Sequence, residues 1–440
     1  MDSRQLLRIA VTTLGCKVNQ FESAALQAGF EARGAVLVPF SQPADIYVVN
    51  TCAVTAKAGF QSRQLIRRAA KANPAGRLVV TGCYAQAESQ AIIELVDGPL
   101  CLVGNDRKHQ LVDIALADQL CDLEMHMGEV AREKEPCPLH ARRFAGRTRA
   151  YLRIQDGCNN FCSYCIVPYV RGRSRSVRPE AVLAQTAIFA QEGYPEVVIT
   201  GIHTGAYGVD LAAPIDLLQL LQLLDAQAAI PRFRISSLEP TEITPELLRF
   251  LAGSDRFLPH FHIPLQSGSP EILRRMHRKY TPATYAETVR AVVGAIPDAG
   301  VGADIMAGFP GEDERSFAET LSFLEQLPIS YLHVFPYSMR AGTLAAGMEG
   351  QVAKRVKEER VLRLRELDHR KRTSFYNRHA GKVGRALIEG RQDSSRLLKG
   401  FTDNYIPVLV DGPDSLVGRV VHLRIERIVD QQVIAKLVQP

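Results

Sequence analysis

The sequence predicts an α/β protein in three parts: an N-terminal parallel α/β domain, a partial (β/α) barrel of six units, and a small C-terminal β-barrel. Three observations carry this. Apolar runs ending at Cys16, Cys52 and Cys83 recur at intervals of 36 and 31 residues, each followed by a helical stretch. Six further apolar runs between residues 150 and 337 end in polar or Gly-rich residues and alternate with amphipathic stretches. Beyond residue 380 the apolar period drops to two, with Gly and Asp at the turns.

Length and composition set the bounds. A chain of 440 residues has room for more than one domain. Its 46% hydrophobic and 23% charged residues are those of an ordinary globular protein. No run reaches the apolar length of a membrane span. The opening "MDSRQLLRIAVTTLGC" lacks the apolar core and small-residue cleavage site of a signal peptide. These features lead us to expect a cytoplasmic protein with no membrane partner. Nine cysteines, an odd number in a long chain, point to metal or redox chemistry rather than a disulfide framework. The net charge of +6 permits nucleic-acid binding without requiring it.

The first domain is expected over residues 1–125. "RIAVTTLGC", "DIYVVNTC" and "RLVVTGC" each read as a buried strand of a parallel sheet, and "CLVGNDRK" as a fourth. Open α/β sheets gather functional groups beyond the carboxyl ends of their strands. Cys16, Cys52 and Cys83 are therefore expected to meet at one edge of the sheet. Cys101 opens a strand and faces the other end; Cys121 and Cys137 lie in or near the following linker. All three are read as structural or incidental. Residues 126–143, "HMGEVAREKEPCPLHARR", are charged and carry two prolines, as a linker does.

The partial barrel is expected over residues 144–375. Its strands are "AYLRIQDGC", "EVVITGIH", "RFRISSLEP", "HFHIPLQSGS", "VGADIMAGFPGE" and "YLHVFPYS". Six units in this length fall short of a full eight-fold barrel, but the active face remains the carboxyl end of the strands. Residues 352–378 read as one long helix. It carries ten Lys/Arg against four Asp/Glu, net +6, which equals the excess of the whole chain. Residues 376–440, with "GRALIEG", "LVGRVVHLRIERIV" and "QQVIAKLVQ", read as a β-barrel of about OB-fold size.

The chemistry concentrates in "GCNNFCSYC", Gly157–Cys165, which places thiols at Cys158, Cys162 and Cys165. A structural zinc site needs a fourth ligand at short spacing. No cysteine follows Cys165, and His203, His260, His262 and His277 lie on separate units. Three inert thiols are a poor account too, because Asn159, Asn160, Ser163 and Tyr164 between them do not make a core face. An iron–sulfur cluster fits better: clusters are held by closely spaced thiolates, usually four. Three leave one iron open to a chelating small molecule.

C-x3-C-x2-C within "IQDGCNNFCSYCIVPYVRGRSRS" resembles the signature of radical S-adenosylmethionine (SAM) enzymes. With "TLGCKVNQFES", "VVNTCAVT", "VTGCYAQ" and a terminal domain similar to a TRAM domain, nearly the whole chain resembles the methylthiotransferases of that class. "GCKVNQFES" resembles the branch acting on N6-threonylcarbamoyladenosine at position 37 of tRNA. The alternatives are the branches that modify isopentenyladenosine in tRNA or an aspartate of a ribosomal protein.

The resemblance implies two [4Fe–4S] clusters. Cys158, Cys162 and Cys165 would hold the catalytic one, which binds SAM and cleaves it to a radical. Cys16, Cys52 and Cys83 would hold an auxiliary one carrying the sulfur. It also implies an electron donor such as flavodoxin or ferredoxin, and the anticodon loop of tRNA as partner. Strand ends then nominate Gly201, Ser236, Glu239, Gln266 and Gly308 as SAM contacts. For RNA the candidates are Arg171, Arg173 and Arg175, with Arg178, beside the cluster loop. Further candidates are the arginines from Arg142 to Arg153, the basic helix, and Lys399 and Phe401, with Tyr405, on the terminal barrel.

Overall fold

The computed structural model describes residues 6–117, 121–392 and 395–439. The three cysteine-terminated runs are strands β1 (Arg8–Thr13), β3 (Ile46–Thr51) and β4 (Arg77–Gly82), and the fourth run is β5 (Leu100–Val103). Two short edge strands join them, β2 (Val36–Leu37) and β6 (Leu123–His126). They escape a reading by apolar runs because each is brief and half exposed. The sheet is wholly parallel, in the order β2-β1-β3-β4-β5-β6. Helices α1 (Lys17–Ala32), α2 (Ala56–Ala72), α3 (Cys83–Ala87), α4 (Ser89–Ile93) and α5 (Leu111–Leu116) cover it. Alternate residues feed two cores: Val49, Val80 and Leu102 on one face, Val48, Val79 and Val103 on the other. Every residue of β3 and β4 is accordingly buried.

The second part has six parallel strands, as the sequence predicts. They are β7 (Arg149–Arg153), β10 (Glu196–Thr200), β11 (Phe233–Ile235), β12 (His260–His262), β13 (Gly300–Ala307) and β14 (Tyr331–Pro336). A small antiparallel pair, β8 (Gln155–Asp156) and β9 (Arg175–Ser176), brackets the cysteine loop and the short helix α6 (Val167–Arg171). The six strands form two halves, β7-β10-β11 and β12-β13-β14, joined by a bridge from Phe233 to Phe257. Helices α7 (Pro179–Gln191), α8 (Leu217–Gln227), α9 (Pro245–Gly253), α10 (Pro270–Arg275), α11 (Pro282–Ala295) and α12 (Glu314–Gln326) lie between them. Several begin at side-chain caps, such as Asp216, Thr281 and Asp313. The barrel is open between β7 and β14. Helix α1 packs along the β7 edge and adds Phe21, Ala24 and Ala25 to the barrel core.

The long basic helix is α13 (Lys354–Asn377). Its buried Val361, Leu364 and Leu367 join the barrel core. Much of its positive charge is answered within the fold. Arg360 meets Glu312 at 2.8 Å, Arg363 meets Glu314 at 2.7 Å and Arg370 meets Glu325 at 3.0 Å. These three cations of the expected RNA stripe are thus turned to packing against α12 and the turn before it, while Arg355, Arg365 and Arg378 remain exposed.

The last strands close a five-stranded barrel in the order β15-β16-β17-β19-β18: β15 (Val383–Arg391), β16 (Leu398–Thr402), β17 (Pro407–Val410), β18 (Val420–Val429) and β19 (Gln432–Leu437). It docks against the amino ends of the barrel strands. Tyr405 stacks on His260 at 4.4 Å and on Phe401 at 4.6 Å. Arg149 lies over both the Phe401 and Tyr405 rings, and Arg234 lies over Tyr405. Phe401, expected on a platform for RNA bases, is therefore part of a floor under the partial barrel. Beneath it the buried Glu196 holds Arg234 at 3.0 Å and Arg232 at 3.1 Å, the company a buried carboxylate needs.

Candidate active site

The cysteine loop leaves β8 at Gly157, whose φ of +71° and whose approach to the Arg173 carbonyl leave no room for a side chain. The Cys158 N–H donates to the Gly172 carbonyl (3.1 Å) and the Cys165 N–H to the Cys162 carbonyl (2.9 Å). Ser163 fixes the loop to the end of α10, its N–H donating to the Met276 carbonyl (3.1 Å) and its hydroxyl to the Arg275 carbonyl (2.8 Å). Positive groups sit beside the sulfurs. Arg278 Nη1 donates to Cys162 Sγ at 3.4 Å. His203 contacts Glu242. Burial disfavours its charge, but bonds to Cys158 and Glu242 outweigh that and push it up to about 10. Burial pushes the Cys165 thiol up to about 12, so a metal binding here displaces a proton. A cavity of about 220 Å³ opens beside Cys162, with Asn160, His203, Glu239 and Arg278 in its wall.

Of the nominated SAM contacts, Glu239 lines this cavity, and Gly201, Ser236, Gln266 and Gly308 lie just beyond the carboxyl ends of their strands. Glu239 pairs with Arg278. Ser236 is half-buried, its hydroxyl 3.3 Å from that of Thr204. Gln266 is buried with φ +70°, and its Oε1 has no partner among the described residues. Gly201 and Gly308 are explained at least in part by packing. The Gln155 amide fills the space a side chain would take at Gly201, and the Lys357 stem fills that at Gly308.

The other three cysteines meet where β1, β3 and β4 end. Cys16 caps α1, Cys52 follows β3 and Cys83 opens α3. Gly15, at φ +101°, lets Cys16 and Cys52 approach: a Cβ there would lie 2.8 Å from the Cys52 Cβ and 2.9 Å from its sulfur. Asn19 ties the turn, its amide donating to the Leu14 (2.8 Å) and Thr51 (2.9 Å) carbonyls. Burial, then the neighbouring Cys83, pushes the Cys52 thiol up to about 11.

The largest correction concerns Arg171. Expected to face RNA, it is 1% exposed and lies between the two domains. Its guanidinium reaches Glu22 at 3.0 Å and Asn19 at 2.5 Å in the first domain, Asp156 at 2.8 Å in the barrel, and Cys83 Sγ at 3.3 Å. Arg175 is buried too, donating to the Arg171 carbonyl, and is likewise withdrawn from any surface. Two buried carboxylates required these cations inside. Lys108, fully buried, is the second partner of Glu22. Burial alone would raise the Glu22 carboxyl, but Arg171 and Lys108 hold it well below the usual range. Arg173 remains exposed, over the Phe161 ring at 4.5 Å, and Lys399 is exposed on β16. Arg178 is exposed and pairs with Glu135, while Arg142 and Arg143 pair with Glu192. Arg153 is buried over Phe21.

Sequence reasoning missed Asn19, Glu22, Lys108 and Asp156. The available signal was polar residues at 19, 22 and 23 on one face of α1, directly after Cys16. Two groupings of side chains place ligand atoms within 4.8 Å of one another among the described residues: Cys101–Glu124–His126 and His262–Asp304–His333. In the first, Arg77 grips both Glu124 oxygens at 2.6 and 2.7 Å, which makes it an ion-pair network. Neither cysteine triad is drawn that tight. One ion gathers its ligands closely, whereas a four-iron cluster keeps its thiolates on separate irons.

Residues 152–324 match the Radical SAM superfamily, and residues 8–104 match the uncharacterized protein family UPF0004. The chain is 41% identical to the threonylcarbamoyladenosine tRNA methylthiotransferase MtaB of Bacillus subtilis, over 95% of this chain and 93% of that one. It is 40% identical to the Aquifex aeolicus protein of the same description, over 95% and 100%. Against a tRNA-2-methylthio-N(6)-dimethylallyladenosine synthase of Pelotomaculum thermopropionicum the identity is 35%, over 93% of each. In fold, it matches the radical SAM methyltransferase TsrM of Kitasatospora setae with a TM-score of 0.57 at 14% identity, over 78% of this chain and 77% of that one. No helix among the described residues is long and apolar enough to cross a membrane.

Proposed function

The chain belongs to the radical SAM methylthiotransferases, and from that premise we propose that it adds a methylthio group to carbon 2 of N6-threonylcarbamoyladenosine at position 37 of tRNA. One observation carries the reading: Arg171 ties a cysteine triad of the first domain to the strand that leads into the second triad. Two sets of three thiols, each one ligand short of four, fit two [4Fe–4S] clusters, with Cys158, Cys162 and Cys165 for radical generation and Cys16, Cys52 and Cys83 for sulfur. The first cluster, given an electron by a donor of the flavodoxin or ferredoxin kind, would supply reductive cleavage of SAM and so a radical able to take hydrogen from an unactivated C–H, and the second would supply the sulfur.

The protein's own part is to hold and to shield. His203 beside Cys158 and Arg278 beside Cys162 offset the negative charge that thiolates bring. The unpartnered Gln266 Oε1 supplies a buried acceptor at the strand ends where Ser236 and Glu239 also lie. Helix α1 closes the barrel's β7 edge and the terminal barrel closes its base, so solvent has fewer ways in. Arg173 and Lys399 are among the nominated RNA contacts that are solvent-exposed.

Nucleoside mass analysis of tRNA from a deletion strain tests this. The 2-methylthio derivative of threonylcarbamoyladenosine should disappear while that of isopentenyladenosine persists. An unchanged nucleoside profile refutes the reading.

A further inference from the structure

The barrel interior holds a polar cluster that the roles above leave unused. Asp304 Oδ1 on β13 lies 3.1 Å from His262 Nε2 on β12 and 3.4 Å from His333 Nδ1 on β14. The Ser237 hydroxyl lies 2.7 Å from His262 Nδ1. Ser237 at Nδ1 and the nearby Asp304 make His262 a fixed part of the wall. His333 uses only Nδ1 in this contact, and its side chain is 54% exposed although it shares a cluster with residues inside the barrel. Tyr331, two residues earlier on the same strand, stacks near His260 on the floor. His333 Nε2 thus has no hydrogen-bond partner among the described residues, on a side chain that solvent reaches.

Helix α1 packs along β7, across the barrel's opening from β14, and Lys17 stands at its start. It is the first residue of α1 and its side chain is exposed, yet the charges that bear on it include Arg149, Arg234 and Asp304 of the barrel. Both arginines are answered, Arg149 by Glu389 and Arg234 by Glu196. Lys17 has no carboxylate within ion-pair distance among the described residues. The opening between β7 and β14 thus presents an ammonium without a counter-ion, an imidazole nitrogen and a carboxylate, beside an aromatic floor. Such a set suits a ligand arm that is anionic and also carries a hydroxyl or amide.

We propose that Lys17, His333 and Asp304 read the side arm on N6 of the target adenine: Lys17 takes its carboxylate, and His333 Nε2 and Asp304 take its hydroxyl and carbamoyl N–H. The proposal rests on the tRNA reading above and assigns its specificity. A threonylcarbamoyl arm has all three groups. An isopentenyl arm has none, so it would desolvate the three side chains and leave them unpaired, the strongest form of rejection a site can build.

The test uses holoenzyme and anticodon stem-loop RNAs that differ only at position 37: threonylcarbamoyladenosine, isopentenyladenosine or adenosine. Dissociation constants are measured by fluorescence anisotropy, with iron content as a control because Lys17 adjoins Cys16. Wild-type enzyme should prefer the threonylcarbamoyl RNA over the other two. Lys17→Met and His333→Leu should each cut that preference about tenfold, the loss of a hydrogen bond to a charged group. Affinity for the adenosine RNA and iron content should stay within twofold, and Lys17→Arg should keep more of the preference than Lys17→Met. Variants that retain the full preference, or that weaken all three RNAs equally, overturn the assignment while leaving the function intact. Wild-type enzyme that does not methylthiolate the threonylcarbamoyl RNA overturns the function and this inference together.

Discussion

Replacing Arg171 by methionine removes a guanidinium that serves two domains at once. Asp156 then keeps only the Gly157 N–H at 2.8 Å and the more distant Arg175 at 4.0 Å. Glu22 keeps Lys108. Removing one partner of a buried ion pair costs about 3–5 kcal/mol. Because Glu22 retains a cation, the lower end applies, and we expect a loss of about 3 kcal/mol, roughly a hundredfold in the unfolding equilibrium. Urea unfolding followed by circular dichroism reads this as a lower midpoint. Adding Glu22→Gln and Asp156→Asn to the same chain should restore much of the loss, since neutral amides need no cation. Binding of tRNA by the folded variant should be unchanged, with the same salt dependence. An unmoved midpoint together with weakened, less salt-sensitive tRNA binding would refute the burial argument and return Arg171 to the RNA.

Three further outcomes are expected. Arg173→Ala should weaken tRNA binding uniformly and lower the slope of log K against log salt by about 1, because its side chain is exposed beside the cluster loop. Cys16→Ala and Cys158→Ala should each lose about half the iron and sulfide of reconstituted protein, against no loss from one of them if there is a single cluster. Glu22 has a folded-state pKa held below its ordinary 4.5, so its contribution to stability is complete above that value and is lost as pH falls towards about 2. Acid titration by circular dichroism should therefore show destabilisation in that window that Glu22→Gln diminishes, and no counterpart on the alkaline side.

The six barrel strands and the meeting of Cys16, Cys52 and Cys83 were legible because strand ends and buried parallel strands write themselves as apolar runs. Strands β2 and β6 were not, since two to four half-exposed residues make no run. Charge was the least legible. Nothing local distinguishes Arg171, fully buried, from Arg173, two residues on and exposed: which one turns inward depends on Glu22 and Asp156, distant in sequence. The same holds for Arg363 and Arg370 of α13, which look free until α12 supplies Glu314 and Glu325. Phe401 and Tyr405 kept their aromatic character but changed addressee, from nucleobases to His260 and the arginines of the barrel base.

The floor made by Tyr405 has a bearing on how far apart two grips on one RNA must lie. The terminal barrel sits at the amino ends of the strands and the cysteine loop at their carboxyl ends. β13 spans eight residues, which at about 3.3 Å each is about 26 Å of strand, somewhat less in height once tilt is allowed for. A nucleic acid held by both ends of the enzyme must run down the outside of the barrel over that height. The terminal domain would then act as a ruler, gripping the stem at a set distance from the nucleotide that reaches the cysteine loop, and a stem shortened by a few base pairs would lose that grip without losing the nucleotide's own contacts.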